Sequence, residues 1–141
     1  MAEVNILLVE DDEVDVMAVK RALKELKIAN PFHRAADGID ALEMLRGENR
    51  KEKVRHPVIV LLDLNMPRMG GLEFLDELRK DPDLQHTIVF VMTTSAAEED
   101  RVRAYDKCIA GYVLKHSPAH TFLDAVTMLE HYWRVVEFPE R

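Results

Sequence analysis

A chain of 141 residues, 48% of them hydrophobic, has the length of one domain and enough apolar material to bury a core. At this size a globule hides about 70% of its unfolded surface. The formal net charge of −7, with no basic stripe, excludes the electrostatic footprint of a nucleic-acid or anionic-membrane binder; with neither a leader nor an apolar run near the roughly eighteen residues of a membrane span, a soluble cytoplasmic protein is expected.

Val4 to Val9 is a short apolar run that ends in acid: Glu10, Asp11, Asp12. From Glu13 the periodicity becomes helical, with Val16, Val19, Leu23 and Leu26 on one stripe and Val14, Ala18 and Ala22 on another, stopping before Asn30-Pro31. Pro31 to Ala35 is a weaker strand carrying His33 and Arg34, which suits a place near a sheet edge. Asp37-Gly38 is a turn, and Ala41, Leu42 and Leu45 open a second helix that fades into the charged segment 46–53, read as a solvated loop.

Val58-Ile59-Val60-Leu61-Leu62 then runs without alternation into Asp63. Such a run fits a strand buried on both faces of a parallel sheet. Pro67 and Gly70-Gly71 end it, so Asp63 belongs at its carboxyl end, the edge where open α/β sheets bind ligands. On this stretch alone, Asp63 is either a helix cap or a functional carboxylate.

Leu72, Leu75 and Leu78 mark a third helix closing at Asp81-Pro82. Thr87 to Met92 is a strand ending in Thr93-Thr94-Ser95. Ala96 to Lys107 reads as a helix with an acidic front and Val102, Tyr105 and Ile109 as inner contacts; Cys108 beside it is expected to be a buried structural thiol. Gly111 to Leu114 is a last short strand ending in Lys115, and Ser117-Pro118 stand as N-cap and N1 of a final helix reaching at least Trp133. Strands alternating with helices describe an α/β doubly wound sandwich whose right-handed crossovers bring all strand carboxyl ends to one edge.

That edge collects Glu10, Asp11, Asp63, Thr93 and Lys115. Crowded carboxylates repel one another and call for a cation, and an all-oxygen site with room for water suits Mg²⁺. With the metal bound, the site wants an anion; a phosphoryl group bridging metal, Lys115 and the Thr93 hydroxyl satisfies it, with Asp63 placed as the nucleophile. The strand ends therefore favour the functional carboxylate.

Glu10-Asp11, Asp63-Leu64-Asn65-Met66-Pro67 with Gly71, Thr93, and Gly111-Tyr112-Val113-Leu114-Lys115 resemble the receiver domain of two-component response regulators, over residues 3 to 135. The resemblance implies a CheY-like, flavodoxin-like fold: a five-stranded parallel sheet in the order 2-1-3-4-5 with five helices. It implies a receiver domain over 1–135 and a short extension over 136–141. Asp63 would accept a phosphoryl group from the histidine of a sensor histidine kinase. Asp11, Asp63 and the backbone carbonyl of Asn65 would ligate Mg²⁺, and Glu10 would hold it through water. Thr93 and Lys115 would bind phosphoryl oxygens, Tyr112 would report phosphorylation by swinging inward, and Asn65 and Ser95 would tune the lifetime of the phosphoryl group. The family usually follows the lysine with proline through a cis bond; here His116 follows, and a cis bond without proline costs about 3 kcal/mol or more. His116 and His120, with Pro118 between them, read as surface histidines rather than a metal pair.

In the last helix Phe122, Val126, Leu129, Trp133 and Val136 make one stripe, and Ala125, Met128, Tyr132 and Val135 a second. Together they cover more than the roughly 100° a core-facing helix needs. A homodimer through this helix and the tail to Phe138 is therefore expected. Glu130-His131-Tyr132-Trp133 and Thr93-Thr94-Ser95 also resemble the small regulators paired with bacterial phytochromes, which implies a light-sensing kinase upstream. A Mg²⁺-dependent phosphohydrolase is the rival from another class, but such enzymes carry an acid two residues past the nucleophile, where this chain has Asn65. A pseudo-receiver that only binds partners would lack one of the acids or the lysine, and all are present.

Overall fold

Every apolar run identified above forms a strand in the computed structural model, which describes residues 3–139. The elements follow as β1 (Asn5–Val9), α1 (Glu13–Glu25), β2 (Phe32–Ala35), α2 (Gly38–Arg46), β3 (Val58–Leu62), α3 (Gly71–Lys80), β4 (Ile88–Thr93), α4 (Glu98–Asp106), β5 (Gly111–Leu114) and α5 (Phe122–Val135). The strands pair in parallel in the order β2-β1-β3-β4-β5, as expected, with β2 at one edge. From β1 the chain steps out to β2 and then crosses back to β3. This reversal opens a crevice at the carboxyl ends of β1 and β3.

All five residues of β3 are buried, because helices cover both faces of the sheet. Successive side chains point to opposite faces, so the strands feed two cores. Ile6, Leu8, Ile59, Leu61, Phe90 and Met92 pack with Val16, Val19 and Leu23 of α1 and Val126, Leu129 and Trp133 of α5. Leu7, Val9, Val60, Leu62, Val89 and Val91 pack with Leu42 and Leu45 of α2 and Phe74, Leu75 and Leu78 of α3. Each fully buried Leu or Phe contributes about 1.5–3 kcal/mol of transfer free energy.

Several sequence expectations are corrected. Val14 lies exposed on α1, whose inner face is Val16, Val19, Ala22 and Leu23. Val102 and Tyr105 are each 49% exposed; α4 buries Ala104 instead and leans on Ile109 beyond its end. Cys108 is exposed, because the chain leaves α4 through a left-handed turn (φ 60°) at that residue. The N-cap of α5 is Thr121, not Ser117. Thr121 Oγ1 accepts from Asp124 N–H and the Asp124 carboxylate accepts from Thr121 N–H, a reciprocal box that Ser117 could not complete with His120 three residues on.

The apolar breadth of α5 also has an internal explanation. Val126, Leu129 and Trp133 are spent on the monomer's own core and offer nothing to a second chain. Tyr132 stacks edge-on against Phe90 at 4.7 Å, and Phe138 of the tail folds back onto Tyr132 at 6.0 Å. The apolar side chains of this helix and tail that remain exposed are Met128, Val135 and Val136. Residues 140 and 141 of the expected extension lie outside the described residues. No helix among the described residues is long and apolar enough to cross a membrane.

Candidate functional site

Three of the expected residues are the first to follow a strand, and one more rung of backbone pairing pins each of them. Glu10 N–H donates to Ala35 C=O at 3.0 Å, Asp63 N–H to Val9 C=O at 3.0 Å, and Lys115 N–H to Thr93 C=O at 2.8 Å. Ladder geometry thus extends one residue past the apolar runs and aims these side chains into the crevice. The only cis peptide among the described residues is His56–Pro57, so the Lys115–His116 bond is trans and Lys115 reaches the site without the family's proline.

The acid cluster after β1 divides its labour. Glu10 turns inward and is buried, Asp11 stays open to solvent, and Asp12 caps α1 by accepting from Val14 N–H at 2.8 Å. Carboxylate oxygens of Glu10, Asp11 and Asp63 lie within 4.8 Å of one another. Into this cluster comes Lys115, 4% exposed, with its Nζ 2.5 Å from Glu10 Oε1, 2.8 Å from Asp15 Oδ2 and 3.7 Å from Asp63 Oδ1.

One ammonium does not balance these carboxylates. Burial, reinforced by the Asp63 charge and opposed by Lys115, pushes the Glu10 carboxyl up to about 7. Burial also raises Asp63, against the pull of Lys115 and the Thr93 hydroxyl. Burial alone would lower Lys115, but its contacts with Asp15, Glu10 and Asp63 outweigh that and hold it above its ordinary value. Two buried carboxyls that resist ionising, beside an open third, make an oxygen-donor set suited to a hard divalent cation.

Two arginines buttress this side of the site. Arg34, on β2, donates through Nε to Glu10 C=O at 2.9 Å and through Nη2 to Asp11 C=O at 3.2 Å, while Nη1 pairs with Glu13 at 2.7 Å. The guanidinium therefore fixes the backbone that presents Glu10 and Asp11. Arg68, in the loop after β3, grips Asp37 with Nε at 2.6 Å and Nη2 at 3.1 Å, and the same carboxylate caps α2 by accepting from Asp40 N–H. Against the other end of that loop lies Gly71: a Cβ there would fall 2.6 Å from Asp63 C=O, so only glycine lets α3 start this close.

The β4–β5 side is held differently. Thr93 is buried, Asn65 across the crevice is exposed, and Ser95 and Tyr112 are half-buried. Ser95 N–H donates to Thr93 Oγ1 at 3.3 Å, Ser95 Oγ donates to Asp100 at 2.7 Å, and the Tyr112 hydroxyl donates to Ser95 C=O at 2.8 Å. Burial raises the Tyr112 hydroxyl above its ordinary range. Thr93, Ser95 and Tyr112 thus form one chain of contacts leading from the crevice to α4.

Sequence reading overlooked Asp15, Arg34 and the Asp37–Arg68 pair. Asp15 lies four residues beyond Asp11, one turn into α1, a spacing that can return a carboxylate to the same end of the helix. Nothing local marks Arg34 or Arg68, whose partners arrive from other elements.

Residues 6–127 match the family model for the response regulator receiver domain. Response regulator Rcp1 of Synechocystis sp. is 34% identical over 128 residues, which is 91% of this chain and 87% of that protein. Among solved structures, the phosphorylated cyanobacterial phytochrome response regulator RcpA aligns with a TM-score of 0.88 at 31% identity, over 98% of this chain and 99% of that one. The Mn²⁺-bound form of Rcp1 aligns with a TM-score of 0.85 at 33% identity, again over 98% and 99%.

Proposed function

The chain belongs to the response regulator receiver domain family, and from that premise we propose that it carries its signal as an aspartyl phosphate on Asp63, received from the phosphohistidine of a sensor kinase. The observation that carries this reading is the buried Asp63 carboxylate at the end of the central strand, with the Lys115 ammonium 3.7 Å away and the Glu10 and Asp11 oxygens alongside. In transfer, an Asp63 oxygen attacks phosphorus; the P–O bond forms as the P–N bond breaks, and the electron pair leaves with the imidazole, which takes a proton from water. Lys115 and the Thr93 hydroxyl receive the phosphoryl oxygens.

The donor set fits Mg²⁺: Asp11, Asp63 and the Asn65 carbonyl would hold it, with Glu10 acting through water, and it would supply positive charge against the transferring oxygens. The Mn²⁺-bound form of Rcp1 supports a divalent ion at this cluster. The protein is a phosphoacceptor rather than a turnover enzyme. Its phosphoryl group leaves slowly, as water attacks phosphorus and the bonding pair returns to the Asp63 carboxylate, with Asn65 and Ser95 setting water's access.

Switching follows from the chain of contacts through Ser95. A phosphoryl group brings about two negative charges, and Thr93 moving toward them draws on Ser95 and hence on Tyr112, changing the surface of α4, β5 and α5. The likeness to RcpA, a phytochrome response regulator, supports a light-sensing kinase upstream, and membership of the receiver family supports action in the cytoplasm. A homodimer through α5 would use Met128, Val135 and Val136 with the half-buried Phe122, Tyr132 and Phe138. Sedimentation of both the phosphorylated and unphosphorylated protein tests it, and a monomer at micromolar concentration in both states removes it.

Incubation with acetyl phosphate and Mg²⁺ tests the central claim. An acid-stable, hydroxylamine-labile adduct is expected in the wild type and none in Asp63→Asn. An adduct that survives the substitution, or no adduct at all, refutes Asp63 as acceptor.

A further inference from the structure

We propose that Asp15 is a positioning residue that competes with the phosphoryl group for Lys115, and so weakens the hold on the phosphorylated state. This rests on Asp63 being the phosphoacceptor. The Lys115 ammonium carries three protons and faces three carboxylates. It lies within hydrogen-bond reach of Glu10 (2.5 Å) and Asp15 (2.8 Å) but only at ion-pair distance, 3.7 Å, from Asp63. The two carboxylates that do not react hold the lysine away from the one that does.

A phosphoryl group on Asp63 presents oxygens that need an ammonium proton, so Lys115 must release or share an existing contact. Glu10 is the poorer one to release. It is 2% exposed, and its other oxygen accepts from Asp12 N–H at 3.3 Å, so a freed carboxylate there meets little water beyond the one it would share with the metal. The Asp15 side chain is 26% exposed on the first turn of α1, where water replaces the lost ammonium at small cost. Asp15 is the contact that yields, and the free energy of breaking it is subtracted from phosphoryl binding.

The test is titration of the full chain with beryllium fluoride in excess Mg²⁺, followed by fluorine NMR, since this anion coordinates the carboxylate as a phosphoryl mimic. Asp15→Asn is expected to bind it about three- to fivefold more tightly than wild type, the scale of a partly exposed ion pair, and Asp15→Glu to return toward wild type. The gain should persist in about 0.5 M NaCl, because a contact beside a buried lysine is screened far less than a field acting through solvent. Damage to the fold can only weaken binding, so a gain is not a by-product of instability; Asp15→Ser gives the same readout should the asparagine variant not fold. Equal or weaker binding, or a gain that vanishes in salt, overturns the proposal while leaving Asp63 intact as acceptor. A wild type that binds no beryllium fluoride overturns both.

Discussion

The two halves of the crevice are built to different standards. On the β1–β3 side, Glu10 and Asp63 are each pinned by a backbone rung, Arg34 holds the carbonyls of Glu10 and Asp11, and Arg68 ties the loop after β3 to the cap of α2. On the β4–β5 side, the segment after Thr93 hangs on the Ser95 and Tyr112 hydroxyls, and α4 buries a single residue, Ala104. A cation site needs donors fixed before the ion arrives, since every degree of freedom lost on binding subtracts from affinity. A segment that must follow a phosphoryl group needs the opposite, few contacts and low local stability. The packing thus suits the division of labour that the proposed function asks for, between holding charge and reporting it.

The sharpest way to break this contrast is to loosen the stiff side. Arg34→Gln keeps a donor but loses the fork that spans two carbonyls and the pair with Glu13. Loss of a residue that orients metal ligands typically costs about 10- to 100-fold in metal affinity. Mg²⁺ affinity measured by calorimetry should fall by that factor, with Arg34→Lys intermediate. An unchanged affinity would mean that the strand ends alone hold the acids in place.

A smaller effect is expected at Asp37. Burial raises its carboxyl, but the hydrogen bonds from Arg68 and from Asp40 N–H outweigh burial and hold it below the usual carboxylate range. A carboxyl lowered on folding contributes stability that is present above its unfolded pKa of about 4 and lost as pH falls through the lower folded value. Asparagine caps a helix about as well as aspartate, so Asp37→Asn isolates the ion pair. Because Arg68 is largely exposed, the pair is worth only about 1 kcal/mol near neutral pH. Denaturant melts should show that gap above about pH 5 and its closure as pH falls through the lower folded value of the carboxyl; a gap that does not depend on pH would assign the effect to something other than the charge.

What the sequence made legible follows the same division. A sheet buried on both faces writes itself as uninterrupted apolar runs, and its chemistry starts where each run stops, so Glu10, Asp63, Thr93 and Lys115 could be read one strand at a time. Arg34, Asp15, Arg68 and Asp37 could not, because each looks like an ordinary surface charge until a partner from another element arrives. The breadth of α5 left its cover open for a related reason. A wide apolar arc signals burial without saying against what, and here Phe90 and Phe138 cover Tyr132 within one chain. The polar surface of α4 hid the converse: Val102 and Tyr105 at helical spacing suggested an inner face, where the helix is anchored by Ala104 and by Ile109 beyond its end.

The smallest expected effect sharpens the contrast from the loose side. Tyr112→Phe removes the hydroxyl that donates to Ser95 C=O at 2.8 Å and leaves the ring in place. The carbonyl lies in a half-buried segment where water can take over, so the loss should sit near the low end for a neutral hydrogen bond, about 0.5 kcal/mol. What distinguishes the two sides is where that loss appears. If the segment after β4 is tethered mainly by this contact, amide exchange should quicken at Ser95 and Ala97 and stay unchanged at Glu10 and Asp63, whose amides donate to Ala35 and Val9 in the sheet. Exchange that quickens equally at all four would mean that the crevice opens as one unit, and that its two halves do not differ in the stiffness their contacts imply.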